Sequence, residues 1–221
     1  MNSSKDLEKY IYEEIVPEYA EFDTAHREDH ALTVIGQALE LLETMPDSPE
    51  GLPEGICREE INRNILLAAA ACHDLGLING RDRHHLDSGE IIRNDIRLRE
   101  WFSKEEIETI AQAAEDHRAS GKSAPRSIYG MLVAEADRVI DGETIIRRTS
   151  QFGFNNYPDL DRQSHVERAI SHLHEKYGRG GYLKLWIPWS DNATRLADLQ
   201  DLIDDEEKIR AEVIRIMETL S

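Results

Sequence analysis

The chain has few of the features that mark secreted or membrane proteins. Its 221 residues include only two cysteines, Cys57 and Cys72, so we expect no disulfide framework and favour a reduced intracellular protein. No stretch approaches the roughly 18 apolar residues of a membrane span. No apolar segment behind the N-terminus resembles a signal peptide. The expectation is a cytoplasmic protein without a membrane partner.

Basic residues are scarce as well. The chain has 26 lysines and arginines against 44 aspartates and glutamates, which gives a formal net charge of −18. A surface of this sign repels phosphate polyanions, so we do not expect polymeric nucleic acid as a partner. A small phosphorylated substrate stays compatible with this charge if a metal ion or local arginines reverse the field. The oligomeric state is left open, and a homo-oligomer is one option.

Strand-like alternation, internal repeats and low-complexity tracts are missing too, whereas apolar residues recur at helical spacing. We therefore expect an all-α fold that forms a single domain over residues 1–221. The pattern predicts a first helix that ends near Pro17 and a capping box at Ser103 and Glu106 that opens a later helix. Further helices are expected at about residues 26–45, 65–74, 127–140 and 164–177, with a long last helix that begins at Ser190 or Asp191.

The most informative stretch is an apolar run over residues 65–72 that leads directly into His73 and Asp74. A helix without a polar position is buried on nearly every side, and the four alanines in this run let neighbouring helices come close. An unpaired charge at the buried end of such a helix is very costly. The doublet therefore predicts either a hydrogen-bonded pair or a bound cation.

Other histidines and aspartates lie on the apolar faces of predicted helices, namely His30, His117 and Asp137. Taken singly, each is more often a hydrogen-bonded core residue, a helix cap or an ion-pair partner. The same feature on four separate helices favours a shared metal site. Imidazole and carboxylate ligands suit zinc, iron, manganese and similar divalent ions, and the lack of cysteine pairs disfavours a structural zinc site.

The order of these residues, His30, then the His73-Asp74 doublet, then Asp137, resembles the HD-domain superfamily of metal-dependent phosphohydrolases. The resemblance covers roughly residues 24–150. It implies a helical bundle of the HD-domain type, with residues 24–150 as its core and residues 151–221 as a helical extension packed on that core. It also implies that His30, His73, Asp74 and Asp137 are metal ligands.

Many members of the superfamily hold a second metal with two more histidines. His84 and His117 match those positions, His84 through the small residues Ser88 and Gly89 that follow it. In that pattern, small residues stand four and five positions after the histidine. His85 fits less well, because Glu90 stands five positions after it. The alternative is that His84 and His85 are both solvated residues at a helix start. We expect a neighbouring or capping role for His26, and a surface position for each of three later histidines, His165, His172 and His174.

The resemblance implies hydrolysis of a phosphate ester in a small molecule, a nucleotide included, by metal-activated water. One or two divalent ions are expected, without a choice among Fe, Mn, Mg, Zn and Co, and Asp74 is the expected catalytic residue and bridging ligand. The candidate substrate-binding residues are Arg83, Arg118, Lys122 and Arg138.

Leu77 stands where the cyclic-dinucleotide branch of the superfamily has a lysine, so that activity is disfavoured. Two other functions stay open at this point. One is a di-iron oxygenase of the same superfamily, and the other is a non-catalytic, nucleotide-binding regulatory domain.

Overall fold

The computed structural model describes residues 3–22, 26–47, 56–118, 123–138 and 140–220. Within these ranges every regular element is helical, so the all-α prediction is confirmed. No helix there has the length and apolar content to cross a bilayer. The ten α-helices of the described residues are α1 (Ser4–Tyr10), α2 (Glu28–Glu43), α3 (Arg63–Cys72), α4 (His84–Asn94), α5 (Lys104–Asp116), α6 (Ile128–Ala136), α7 (Gly142–Asn156), α8 (Arg162–Tyr177), α9 (Asn192–Asp204) and α10 (Glu206–Glu218).

The chain divides into two compact units. The first comprises Met1–Arg138 and Trp186–Ser190, and the second comprises Val139–Leu185 and Asp191–Ser221. Helices α1 to α6 belong to the first unit, and α7 to α10 belong to the second. The sequence pattern did not predict α7. A single domain over residues 1–221 stays a prediction.

Helix α3 lies at the centre of the first unit, where it packs against α2, α5 and α6. All eight residues from Ile65 to Cys72 are buried, which confirms the buried helix expected from the apolar run. Leu66 and Leu67 have no exposed surface, and burial of one such side chain contributes roughly 1.5–3 kcal/mol. The alanines that follow them lack long side chains, so three helices can approach α3 closely.

Two helix boundaries differ from the sequence-based prediction. The first helical segment does not end near Pro17 but continues through a π turn at Ile11–Ile15 and a 3₁₀ turn at Val16–Glu21. Pro17 is tolerated because it stands in the first turn of the 3₁₀ segment, where its missing N–H would have no partner. The expected long C-terminal helix is instead two helices, because Asp205 has an extended backbone and caps α10 by accepting a hydrogen bond from the Lys208 N–H.

Close packing after α3 brings α4 next to the His73-Asp74 doublet. A 3₁₀ turn at Leu75–Asn79 ends at Gly80, whose φ of 101° favours glycine. Within this turn, the Gly76 N–H donates a hydrogen bond to Ser88 Oγ at 2.9 Å. A Cβ added to Gly76 would lie 2.0 Å from the carbonyl oxygen of His84. A glycine at position 76 therefore sets how near α4 comes.

The short segment Trp186–Ser190 belongs to the core of the first unit. Ile187 is buried there, and the Trp186 N–H donates to Glu135 Oε2 at 2.8 Å. Trp189 donates its indole N–H to the carbonyl of Leu41 at 2.8 Å. These bonds satisfy polar groups that would otherwise be costly to bury, among them the Glu135 carboxylate, which has no exposed surface.

In the second unit, α7 packs on α8 and α10, and α9 packs on α8 and α10. His165 on α8 is buried, with its ring 4.7 Å from that of Phe154. The expectation that His165 is a surface residue was therefore wrong. The cause is that His165 shares the buried face of α8 with Val166, Ala169 and Leu173, which α8 needs for its packing.

Alanine substitutions at Gly76 and Gly36 should change the stability of the protein in opposite directions, because only Gly76 is crowded. We expect Gly76→Ala to lower the free energy of unfolding by about 1–3 kcal/mol, because the new methyl group overlaps backbone atoms of α4. Gly36→Ala on α2 should raise it by about 0.5–1 kcal/mol, because nothing lies within 4 Å of the added Cβ and alanine favours the helix. Urea denaturation measures both, and equal stabilities would contradict the close approach at Gly76.

Candidate metal centre

The His73-Asp74 doublet stands where α3 ends. His73 is the C-cap residue of α3, and Asp74 follows in a turn that leads to the next 3₁₀ segment. His73 is fully buried and Asp74 is 3% exposed. Both side chains therefore lie at the inner end of the buried helix, as the apolar run predicted.

The first of two candidate ligand groups joins α2, the end of α3 and the end of α6. It consists of His30, His73 and Asp137. His30 Nε2 lies 3.3 Å from His73 Nε2 and 3.3 Å from Asp137 Oδ1. His73 Nε2 lies 3.9 Å from the same Asp137 oxygen. Three donor atoms from three helices thus face one small space.

The second group joins Asp74 to the start of α4 and the end of α5. It consists of Asp74, His84 and His117. Asp74 Oδ1 lies 3.4 Å from His84 Nε2 and 3.3 Å from His117 Nε2. The two histidine nitrogens are 3.2 Å apart. The other oxygen of Asp74, Oδ2, lies 3.6 Å from His30 Nε2 and 3.4 Å from His73 Nε2, so one carboxylate stands between the two groups.

Backbone carbonyls fix the orientation of three of the rings. Nδ1 of His73 donates to the Ala70 carbonyl at 2.8 Å, and Nδ1 of His117 donates to the Ala114 carbonyl at 2.5 Å. Nδ1 of His84 makes the same contact with Arg81 at 2.8 Å. A carbonyl oxygen only accepts hydrogen bonds, so each Nδ1 carries a proton and each neutral ring turns the lone pair of Nε2 inward.

This donor set fits divalent metal ions. Imidazole nitrogens and carboxylate oxygens at these distances repel one another unless a proton or a metal cation lies between them. Asp74 Oδ1 is buried and accepts no hydrogen bond within the described part of the chain. Metal–ligand bonds of about 2.1 Å place neighbouring ligand atoms about 3.0–3.4 Å apart, close to the 3.2–3.4 Å found in the second group. The ligand types suit iron, manganese, zinc or cobalt.

Helix ends add to the negative potential. His73, His117 and Asp137 are the C-cap residues of α3, α5 and α6, so three helices direct their C-termini at the centre. A helix C-terminus carries a partial negative charge of about half a unit, which favours a cation. The same geometry explains the histidine orientation, because Ala70 and Ala114 belong to last turns whose carbonyls lack a partner within the helix.

The pKa values of the ionisable groups reflect this crowding. Burial disfavours the charged form of His30, but Asp137 and Asp74 outweigh burial and raise its pKa to about 9. Burial would raise the pKa of Asp74, yet contact with His73, His117 and His30 lowers it below the ordinary value. The pKa of Asp137 is lowered against burial in the same way, chiefly by His30. Both carboxylates are therefore charged at neutral pH.

The structure distinguishes the two neighbouring histidines at the start of α4. His84 faces Asp74 and His117, whereas His85 points to Arg118, with its Nδ1 3.5 Å from the guanidinium. His26 also lies outside both groups. Its ring packs edge-on against His30 with 5.4 Å between centroids, and both of its nitrogens lie 3.1 Å from Arg81 Nη2. The structure thus brings together the six candidate ligands proposed from the sequence, His84 among them, and leaves His85 outside both groups.

The four candidate substrate-binding residues have different surroundings. Arg118 follows His117 and donates to the Asp82 carbonyl at 2.6 Å, close to His85. Arg83 is exposed at the N-cap of α4. Arg138 is only 7% exposed and donates to the Ala134 carbonyl, so it lies within the protein. Lys122 falls outside the described residues.

Tyr19 is the residue at this centre that the sequence pattern did not reveal. It is fully buried, donates its hydroxyl proton to the Ala71 carbonyl at 2.8 Å and accepts the Asp74 N–H at 3.2 Å. Its ring lies 6.3 Å from that of His73. Through these two hydrogen bonds, Tyr19 holds the backbone on both sides of His73 in position. The apolar spacing that continues past Pro17 indicates that Tyr19 is buried, but it does not indicate which groups the Tyr19 hydroxyl binds.

Comparison with known proteins gives one match. The family model described as HD domain matches residues 27–142, which is more than half of the chain and includes all six candidate ligands. The range agrees with the resemblance stated for residues 24–150. No curated protein and no solved structure matches the chain.

Replacing Tyr19 should weaken the centre without removing a ligand. We expect Tyr19→Phe to lower the free energy of unfolding by about 1–3 kcal/mol, because the buried Ala71 carbonyl loses its donor. Metal affinity should fall about 10–100-fold, as is typical when a group that orients a ligand is lost. Tyr12→Phe at an exposed position is the matched control. Metal titration of both variants checks this, and equal affinities would refute the role of Tyr19.

The adjacent histidines on α4 allow a direct test of the second group. His84→Ala should lower the metal content of the purified protein by about one ion, since the second group needs three ligands for a stable site. His85→Ala should leave the metal content unchanged, because His85 faces Arg118. Elemental analysis of protein purified without chelator gives both values. The reverse pattern would show that His85 is the ligand.

Proposed function

The chain belongs to the HD domain family, and we propose that it is a metal-dependent phosphohydrolase that cleaves a phosphate ester of a small molecule, with nucleotides among the candidates. One observation carries the proposal. Two groups of three metal-ligand side chains share a space in which the buried carboxylate of Asp74 stands between them. Paired divalent ions are a common solution for in-line displacement at phosphorus.

His30, His73 and Asp137 would hold one divalent ion, and Asp74, His84 and His117 would hold a second. Such ions would supply Lewis-acid polarisation of a phosphoryl oxygen and make water nucleophilic near neutral pH. The activity measurements described below compare different divalent ions. The fit of the donor set, including the unsatisfied Asp74 Oδ1, supports a resident metal.

The chain's own side chains determine where a substrate can approach. The side chains of His73, Asp74 and His117 are at most 4% exposed. Those of His30, His84 and Asp137 are 14%, 16% and 24% exposed. The centre is therefore closed on the side of α3 and open on the side of these three residues. A substrate phosphate enters from that side, and water is excluded from the other.

Asp74 has the properties of a group that orients an attacking water. Its carboxylate is charged at neutral pH, because its pKa is held below the ordinary value by the surrounding histidines. It is also fixed in position, since the Asp74 N–H is bound by Tyr19 and the preceding helix is buried throughout. A fixed carboxylate that accepts a hydrogen bond from water in one direction aligns the water for attack.

Arginine side chains near the opening provide the contacts for a phosphate. Arg118 lies beside His85 and directly follows the candidate ligand His117, and Arg83 is exposed at the N-cap of α4, directly before His84. Their guanidinium groups suit bidentate binding of phosphate oxygens. We propose Arg118 as the first phosphate contact, with Arg83 in support. Arg138, which donates to a backbone carbonyl in the interior, is better placed to hold the end of α6.

Activity measurements test the proposal. Protein loaded with Mn²⁺, Fe²⁺ or Mg²⁺ should release phosphate from at least one member of a panel of nucleotides, sugar phosphates and other small phosphate esters. Asp74→Asn should lower kcat at least about 10³-fold, because it removes charge from the shared ligand. Asp29→Asn is the control, since it is an exposed carboxylate on α2 beside the ligand His30.

Other outcomes would contradict the proposal. Equal loss of activity in both variants would mean that Asp74 has no special role. Iron-dependent oxygen consumption without phosphate release would favour an oxygenase. Tight nucleotide binding without turnover by fully metal-loaded protein would favour a regulatory domain.

A further inference from the structure

The Glu115 carboxylate lies between α4 and α5 in the first unit and belongs to neither ligand group. Glu115 stands in the last turn of α5, two residues before the candidate ligand His117. Its side chain is 11% exposed and accepts a charged partner on each oxygen. Arg93 Nη1 on α4 donates to Oε1 at 2.6 Å, and Arg126 Nη2, in the segment before α6, donates to Oε2 at 2.6 Å. Glu115 therefore joins three parts of the chain close to the second group.

The backbone of α4 leaves room for this carboxylate. Gly89 on α4 is buried, and a Cβ added there would lie within 2.9 Å of three side-chain atoms of Glu115. A larger residue at position 89 would therefore force the carboxylate or the helix to move. Gly89 lies five residues after the candidate ligand His84, or about 7.5 Å along the helix axis. The contact between Gly89 and Glu115 thus sets how near α4 lies to α5 beside the second group.

Both arginines have a further carboxylate partner. Arg93 also donates two hydrogen bonds to Glu108, at 2.8 Å and 2.9 Å, and Arg126 Nε donates to Asp116 at 3.0 Å. If Glu115 lost its charge, α4 would still be paired with α5 through Glu108, and Arg126 would still be paired with α5 through Asp116. A change at Glu115 should therefore leave the fold of the first unit intact. What Glu115 adds is a charged contact in the last turn of α5, beside the candidate ligands.

The second group requires an accurate distance between α4 and α5. It takes His84 from the start of α4 and His117 from the end of α5, and their Nε2 atoms are 3.2 Å apart. A metal site tolerates deviations of only about 0.2 Å in its ligand distances. The hydrogen bonds at Nδ1 orient each ring relative to its own segment of the chain, not one helix relative to the other. Contacts across the two helices have that role, and of the two carboxylates that bind Arg93, Glu115 is the nearer to His117 in the chain.

The first group does not use the contact between α4 and α5. His30, His73 and Asp137 come from α2 and from the ends of α3 and α6. A change at Glu115 should therefore act on the two groups differently. A residue that only stabilised the fold would act on both groups alike, so this difference identifies a positioning role.

We propose that Glu115 is a positioning residue for the second group, and that it acts by holding α4 against α5 through Gly89 and Arg93. The proposal rests on the two-ion centre of the proposed function but not on the reaction, because it concerns metal affinity alone. Loss of the Glu115 contact lets His84 move relative to His117, so the affinity of the second group for a divalent ion falls. The affinity of the first group stays the same.

Calorimetric titration of the metal-free full chain with Mn²⁺ tests this proposal. Glu115→Gln keeps the length of the side chain but loses the charge that attracts both arginines. Binding of Mn²⁺ to the second group should weaken about 10–100-fold, as is typical when a group that orients a ligand is lost. Binding to the first group should stay within about twofold. His84→Ala identifies the binding step that belongs to the second group, because it removes a ligand of that group.

Glu108→Gln is the matched control. It removes the same charge from the same arginine, but at a position two turns of α5 further from His117. Both Mn²⁺ affinities should stay within about twofold of the wild-type values. Circular dichroism and urea denaturation of the metal-free variants verify that each one is folded.

Two further variants separate position from charge. Glu115→Asp keeps the charge but shortens the side chain, so it should still bind Mn²⁺ at the second group at least about tenfold more weakly than the wild type. Gly89→Ala keeps every charge and should weaken the same step, because the new methyl group displaces the Glu115 carboxylate.

Several results would overturn the proposal. Equal weakening of both Mn²⁺ steps in Glu115→Gln would indicate a general structural role. Full recovery of affinity in Glu115→Asp, or equal effects of Glu115→Gln and Glu108→Gln, would reduce the effect to charge alone. A single binding step in the wild-type chain would remove the second site itself. Because the readout is metal affinity rather than phosphate release, a failure of this proposal is distinguishable from a failure of the proposed reaction.

Discussion

The buried charge of Asp74 is the constraint on which the rest of the first unit depends. A carboxylate with 3% exposure at the end of an apolar helix costs several kcal/mol unless positive charge compensates for it. The chain surrounds this carboxylate with four imidazole nitrogens within 3.6 Å rather than with lysine or arginine. In their neutral form these imidazoles leave the charge unbalanced, but they can then bind an ion that balances it.

The helices provide rigidity at this point as well as ligands. Three of the ligands cap the C-termini of α3, α5 and α6, and the rings of two of them bind the last carbonyls of their own helices. The ends of α3 and α5 therefore gain a capping bond, and all three helix ends contribute a negative potential. The alanines of α3 and Gly76 allow the close approach that this convergence needs. The same three residues at the helix ends therefore cap the helices and supply candidate metal ligands.

The net charge of −18 leaves few basic residues to attract an anion. Around the candidate metal centre, arginines at positions 81, 83 and 118 locally oppose the acidic surface, which the proposed phosphate substrate requires. An acidic chain can thus attract an anion at one place, because the field in a narrow space is set by the nearest charged groups.

Sequence periodicity alone determined the helical class, the buried α3 and the identity of the doublet, because an apolar run without a polar position has few other outcomes. The sequence favoured His84 over His85 as a ligand, whereas only the tertiary structure shows that His84 faces Asp74, since that depends on the contact of α4 with Gly76. The tertiary structure also decided that Tyr19 reaches Asp74 of the doublet from 55 residues away, and that His165 is buried. Local patterns specify which face of a helix is apolar, whereas the partner of that face and the atoms that meet there depend on distant segments.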